Sequence, residues 1–196
     1  RQDNFSWFNE DDFAGVIERE LACINPEKEI LEKELRQHLT HTVVFVCDRG
    51  VSHELVRHRA CSFAQESQRY CNYSKDKFSN QVSFIVPPFF KRNPPETQDS
   101  VMYDDSDYST WLMACEYAEK SYFKLIEKGH SPQEARTVLP NSVKTEIIVT
   151  ANEEEWQHIF DLRVHGTTGA PHPQMLEVMK PCYEDLKHFS SGRIKK

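Results

Sequence analysis

Apolar positions along the chain recur at two spacings, and each predicts an element. Steps of three and four residues mark helices, while alternation or a short continuous apolar run marks strands. Helical spacing covers residues 12–23. It resumes over 26–38, where Asn25-Pro26 supplies a cap with Pro in the first turn and Ile30, Leu31 and Leu35 follow. Thr42-Val43-Val44-Phe45-Val46-Cys47 is β-branched and apolar at neighbouring positions, which predicts a strand buried on both faces. Gly50 breaks it, and 51–60 reads as a short helix with Val51, Leu55 and Val56 inward. Residues 62–80 read as a polar loop, and 82–86 as a second strand ending at Pro87-Pro88.

A linker-like stretch over 91–107, acidic from 94 to 107, leads into the longest helical pattern, 107–128. There Trp111, Cys115, Ala118, Tyr122 and Leu125 form a stripe read as core or subunit interface, closed by Gly129. Ser131-Pro132-Gln133-Glu134 is a capping box that opens a short helix ending at Pro140. Val143, Thr145, Ile147 and Val149 alternate as in a half-buried strand. Asn152 before Glu153, Glu154 and Glu155 predicts a helix start, with acids at the positive end of the dipole. That helix runs through Trp156, Ile159, Phe160 and Leu162 to Arg163, and a last helix spans 173–189 with a kink expected at Pro181. Strands separated by helices predict a mixed α/β fold in a single domain over 1–196, with residues 190–196 as a frayed tail.

Composition narrows the classes. The chain has 196 residues, 38% hydrophobic and 28% charged, which fits neither a disordered chain nor a membrane span. Lys and Arg number 24 against 31 Asp and Glu, a net charge of -7 that disfavours a nucleic-acid polymer as partner. The six cysteines form no C-x-x-C pair, and Cys47 and Cys115 lie in apolar stretches as small hydrophobes, so a reduced, cytoplasmic protein is expected.

Against the acidic average stands the segment Arg57-His58-Arg59-Ala60-Cys61-Ser62-Phe63-Ala64-Gln65-Glu66-Ser67-Gln68-Arg69-Tyr70. Window 49–69 holds Arg49, Arg57, Arg59 and Arg69 but no lysine, facing only Glu54 and Glu66. Guanidinium forks suit phosphates and ring carbonyls. A solvated helix end and loop is the plain reading of this segment. An RNA- or nucleotide-binding module would use Arg57, Arg59 and Arg69 beside Phe63 and Tyr70. A metal site is the third reading, built on His38, His41 and His53 or on His165 and His172.

Arg57-His58-Arg59, seven residues, then Ser67 resembles the signature of the flavin-dependent thymidylate synthases, the ThyX family. Ala135-Arg136-Thr137-Val138-Leu139-Pro140 is similar to that family's second arginine motif. Asn152 with His158-Ile159-Phe160-Asp161-Leu162-Arg163 is similar to its third. The resemblance implies a largely antiparallel central sheet flanked by helices, with residues 1–40 as a divergent helical N-terminus. It implies conversion of dUMP to dTMP with FAD, NADPH and 5,10-methylenetetrahydrofolate, in a homotetramer whose active sites are shared between subunits. Carried over by position, Arg57, His58, Arg59, Gln65, Asn152 and His158 would contact FAD. Glu54, Arg57, Gln65, Glu66, Ser67, Gln68, Arg69, Arg136 and Arg163 would form the dUMP site. Arg163 would be the catalytic group, stabilising charge at ring nitrogen 3, and Ser67 a hydrogen-bonding contact rather than a nucleophile. No metal is implied. Two departures stand out: Gln65 occupies a position where many members carry Glu, and Gln37-His38 replaces a usual Glu-His pair.

Overall fold

The run Thr42–Cys47 does form a strand, but an edge strand with one side open. In the computed structural model, which describes residues 28–75, 78–90 and 107–195, it belongs to β1, Thr40–Asp48. Helix α1, Lys28–His38, precedes it, and α2, Arg49–Leu55, follows without a linker. Then come β2 (Ser62–Gln65), α3 (Asp107–Glu127), α4 (Pro132–Ala135) with a 3-10 turn at Arg136–Val138, β3 (Lys144–Asn152), α5 (Glu153–Arg163) and α6 (Pro173–Phe189). The helix read over 12–23 and the acidic stretch up to residue 106 lie outside the described residues.

The three strands make one antiparallel sheet in the order β1-β3-β2. Helices flank it, as expected. Because side chains alternate across a strand, the register Val43↔Val149↔Phe63 and Phe45↔Ile147 puts apolar groups on one face. That face packs on Val51 and Leu55 of α2, Trp156, Ile159 and Phe160 of α5, and Met175, Met179 and Tyr183 of α6. The opposite face carries Thr42, Val44, Val46, Ile148 and Ala64. Val44, Val46 and Ile148 are 58%, 52% and 41% exposed, so the expectation of burial on both faces fails within one chain.

Other differences have local causes. β2 runs through what reads as a polar loop; its four residues, Ser-Phe-Ala-Gln, are too few for periodicity to register. The strand read over 82–86 is reduced to one bridge, Phe84↔Val143, just before Pro87-Pro88. Val56 is exposed because α2 ends at Leu55. The capping box at Ser131 and Glu134 forms as read, and the Tyr122–Leu125 part of the α3 stripe packs into a second cluster with Tyr73, Val82, Ala135 and Val143.

The segment after α6 corrects the reading of a frayed tail. Ser190 and Ile194 have no exposed surface, and the Arg193 guanidinium meets the Glu153 carboxylate at 2.8 Å. Ile194 belongs to the main core, so apolar burial holds a segment that reads as polar.

Phe160 is fully buried, stacked on Trp156 with centroids 5.6 Å apart and set edge-on to Tyr183 at 5.3 Å. Truncation to Ala removes both contacts and leaves a cavity. Phe160→Ala is expected to cost roughly 3–5 kcal/mol in urea unfolding.

Candidate active site

Two helix starts, each set directly at a strand end, position the candidate site. Asp48 ends β1 and caps α2: its Oδ1 accepts from Val51 N at 2.9 Å, and its Oδ2 accepts from Gln174 Nε2 at 2.6 Å. A Cβ at position 50 would lie 2.9 Å from that capping Oδ1, which is why glycine follows the arginine there. Asn152 ends β3 and caps α5 by accepting from Glu155 N at 2.9 Å, while its Nδ2 donates to Gln37 O at 3.1 Å. Both ends of the Asn152 amide are thus engaged within the chain, the carbonyl oxygen as a helix cap.

The chain after α2 and the outward side of α5 enclose a cavity of about 530 Å³, lined by Arg57, His58, Arg59, Ala60, Glu155, His158, Leu162 and Arg163. Helical spacing places 155, 158 and 162 on one flank of α5, while Trp156, Ile159 and Phe160 face the core. Arg163 sits in a fixed bracket. Its Nη1 donates to Glu54 Oε2 at 2.7 Å and its Nε donates to His58 Nε2 at 3.2 Å. Nη2 keeps no partner among the described residues and remains available to a ligand.

His58 is only 6% exposed. Burial, then the charges of Arg163 and His158, push its pKa down to about 4, so it is neutral at pH 7. A neutral imidazole whose Nε2 accepts from Arg163 carries its proton on Nδ1. Nδ1 faces Glu155 Oε1 at 3.7 Å, close enough for that carboxylate to favour this tautomer. The His158 ring stands edge-on to His58 with centroids 6.0 Å apart.

The cavity therefore gathers Arg57, His58, Arg59, His158 and Arg163, with Glu54 held through Arg163. It does not gather the rest. Gln65 donates to Ser52 Oγ at 2.8 Å and to Thr145 Oγ1 at 3.3 Å. The Glu66 carbonyl accepts from Arg49 Nη1 at 3.3 Å, and its carboxylate accepts from Cys71 Sγ at 3.3 Å. Ser67 Oγ accepts from Arg69 N at 3.4 Å, Gln68 is buried, and the Arg69 guanidinium lies 5.6 Å from the centre of the Tyr70 ring. Arg136 stands on the 3-10 turn beside α3. Glu155 and Leu162 are lining residues that sequence reading missed. Glu155 reads as a dipole-complementing acid, and only the capped start of α5 turns it inward.

Among the described residues no three His, Cys, Asp or Glu side chains are placed to hold a metal ion, and His41 instead hydrogen-bonds Glu153 at 2.9 Å. No helix of the described residues is long and apolar enough to cross a membrane. A second cavity, of about 500 Å³ along α6, is lined by none of the predicted site residues.

Residues 32–189 match the sequence profile of the family described as thymidylate synthase complementing protein. The flavin-dependent thymidylate synthase of Pyrococcus abyssi is 31% identical over 163 residues, 83% of this chain and 59% of that protein. That of Geobacter sulfurreducens is 37% identical over 115 residues, 59% of this chain and 43% of that protein. The chain spans about half the length of the curated relatives it matches. Among solved structures, the UMP/dUMP methylase PolB of Streptomyces cacaoi, bound with 5-Br dUMP, superposes with a TM-score of 0.63 at 21% identity. The match covers 93% of this chain and 92% of that one, so the fold is shared.

In an NMR titration the His58 ring is expected to protonate near pH 4, and Arg163→Gln to raise that midpoint by removing a neighbouring cation. The unfolded ring takes its proton near 6.5 and the folded one near 4, so acidification between those values favours unfolding. A wild-type midpoint near 6.5 would contradict the burial and charge argument.

Proposed function

The chain belongs to the family of the flavin-dependent thymidylate synthases, and from that membership we propose that it converts dUMP to dTMP. FAD would be its bound cofactor, with NADPH and 5,10-methylenetetrahydrofolate as co-substrates in the cytoplasm. The observation that carries this reading is Arg163, held at the cavity between Glu54 and His58 with one guanidinium nitrogen left over.

The donor set fits a flavin nucleotide. Three guanidiniums, Arg57, Arg59 and Arg163, face one lining carboxylate, Glu155, which suits a ligand carrying a pyrophosphate. Arg57, Arg59 and His158 would hold it, with neutral His58 behind them. When bound and reduced by NADPH, FAD would supply the hydride that completes the methyl group. The protein's own task is electrostatic. Uracil must become electron-rich at carbon 5 to attack a one-carbon electrophile, and a guanidinium at the ring edge stabilises charge spread over nitrogen 3 and its flanking carbonyls. Glu54 and His58 fix that guanidinium before substrate arrives, so little reorientation accompanies the step.

Gln65, Glu66, Ser67, Gln68, Arg69 and Arg136 would bind dUMP although they line no common cavity with Arg163 in one chain. That separation favours sites completed by a second subunit, in a homotetramer. The open face of the sheet, with Val44, Val46 and Ile148, offers an apolar surface for such contact.

The direct test supplies purified protein with FAD, NADPH, dUMP and methylenetetrahydrofolate and measures dTMP; no product would overturn the reading. Arg163→Ala is expected to lower turnover about 10²–10³-fold, as loss of one preorganised donor does elsewhere. Val44→Asp with Val46→Asp is expected to shift the light-scattering mass toward monomer; an unaltered assembly would move the interface to another surface.

A further inference from the structure

We infer that segment 190–195 is a clamp that positions α5, with Arg193 as its positioning residue; this rests on the reading that the Arg57–Arg163 cavity takes FAD. After α6 the chain reverses through Ser191 and Gly192, both with positive φ, and Gly192 N donates to Lys187 O at 3.2 Å. Arg193 then lies against the first turn of α5. Its Nε and Nη2 donate to the two oxygens of Glu153 at 2.8 and 2.9 Å. Glu153 has no exposed surface, and its carboxylate also bonds His41 on β1 at 2.9 Å. Burial alone would raise the Glu153 carboxyl, but bonds from His41 and Arg193 hold it below the usual carboxylate range.

One turn further, Lys195 N donates to Gln157 Oε1 at 2.6 Å, and Gln157 Nε2 donates to Lys195 O and to Asp161 Oδ1, each at 2.9 Å. Between the two grips Ile194 is fully buried. Residues 153, 157 and 161 share one flank of α5. Glu155 lies about 200° round the helix from Glu153, on the cavity side. The clamp thus presses on a flank that neighbours the one facing the site, with Asp161 about 60° round the helix from His158. The bidentate pair fixes the rotation of the helix about its axis, which sets where His158 and Arg163 point.

A staple that only stabilises the fold would lower the melting temperature and leave ligand binding alone, so the two roles separate. Arg193→Ala takes the bidentate partner from a buried carboxylate and leaves it His41, whereas Gln157→Ala cuts the second grip without removing a charge, and Arg193→Lys keeps the cation. All are compared with the wild-type full chain at a temperature where circular dichroism shows them folded. Faster amide hydrogen exchange over 153–163 and FAD affinity weakened roughly tenfold are expected for both Ala variants, with recovery in Arg193→Lys. Unchanged exchange overturns the clamp, and so does faster exchange with unchanged FAD affinity. Wild-type protein that takes up no FAD overturns the cofactor reading instead. In that protein, exchange and the His58 ring shift still decide: both moved in the Ala variants support the clamp, and either unmoved sinks it.

Discussion

Burial of one flank of α5 is the constraint on which the rest of the molecule depends. Trp156, Ile159 and Phe160 fill the space between the sheet and α6, and none has more than 1% of its surface exposed. A helix packed by its apolar side is constrained in what its other sides present, and the Arg193–Glu153 pair at its first turn adds to that constraint. Glu155, His158 and Leu162 are therefore delivered to the cavity by core packing, and Arg163 by the last turn of the same helix. The Asn152 cap joins this helix to the central strand without a linker, so sheet register and site geometry are coupled.

The sequence patterns that proved legible are those with a short-range cause. The Asn-Glu-Glu-Glu start, the Ser-Pro-Gln-Glu box and the α3 stripe each act within a turn or two of helix, and each appears where expected. Less legible features depend on partners distant in the chain. Val44 and Val46 read as core because composition cannot say whether a strand has neighbours on both faces. The tail reads as frayed because Arg193 and Ile194 find Glu153 and the main core only after α6 has returned the chain to α5.

The same distinction divides the site. Arg57, His58, Arg59, His158 and Arg163 were named from motifs, and the fold brings all five to one cavity. Gln65 through Arg69 and Arg136 were named from the same motifs but lie elsewhere. Gln65 is bonded to Ser52 and Thr145, and Arg136 opens the 3-10 turn after Ala135. A motif specifies residues without specifying which of them line one cavity. Glu155 shows the converse: a lining residue hidden in a run that a helix dipole alone would explain.

The net charge of -7 is compatible with a cationic cavity because it averages over the whole chain, while Glu54 and Glu153 are each partnered to an arginine. Glu54 brackets Arg163, and buried Glu153 holds Arg193 by two bonds. Each carboxylate fixes a guanidinium in place, and among the described residues the remaining acids lie mostly on the surface, screened by water and salt. What the cavity presents is the local array of Arg57, Arg59 and Arg163, a field set within a few ångströms. Average charge excludes a broad basic surface of the kind a nucleic-acid polymer needs. It leaves open a small anionic ligand, because orientation of three guanidiniums, and the carboxylate that steadies one of them, decides that affinity.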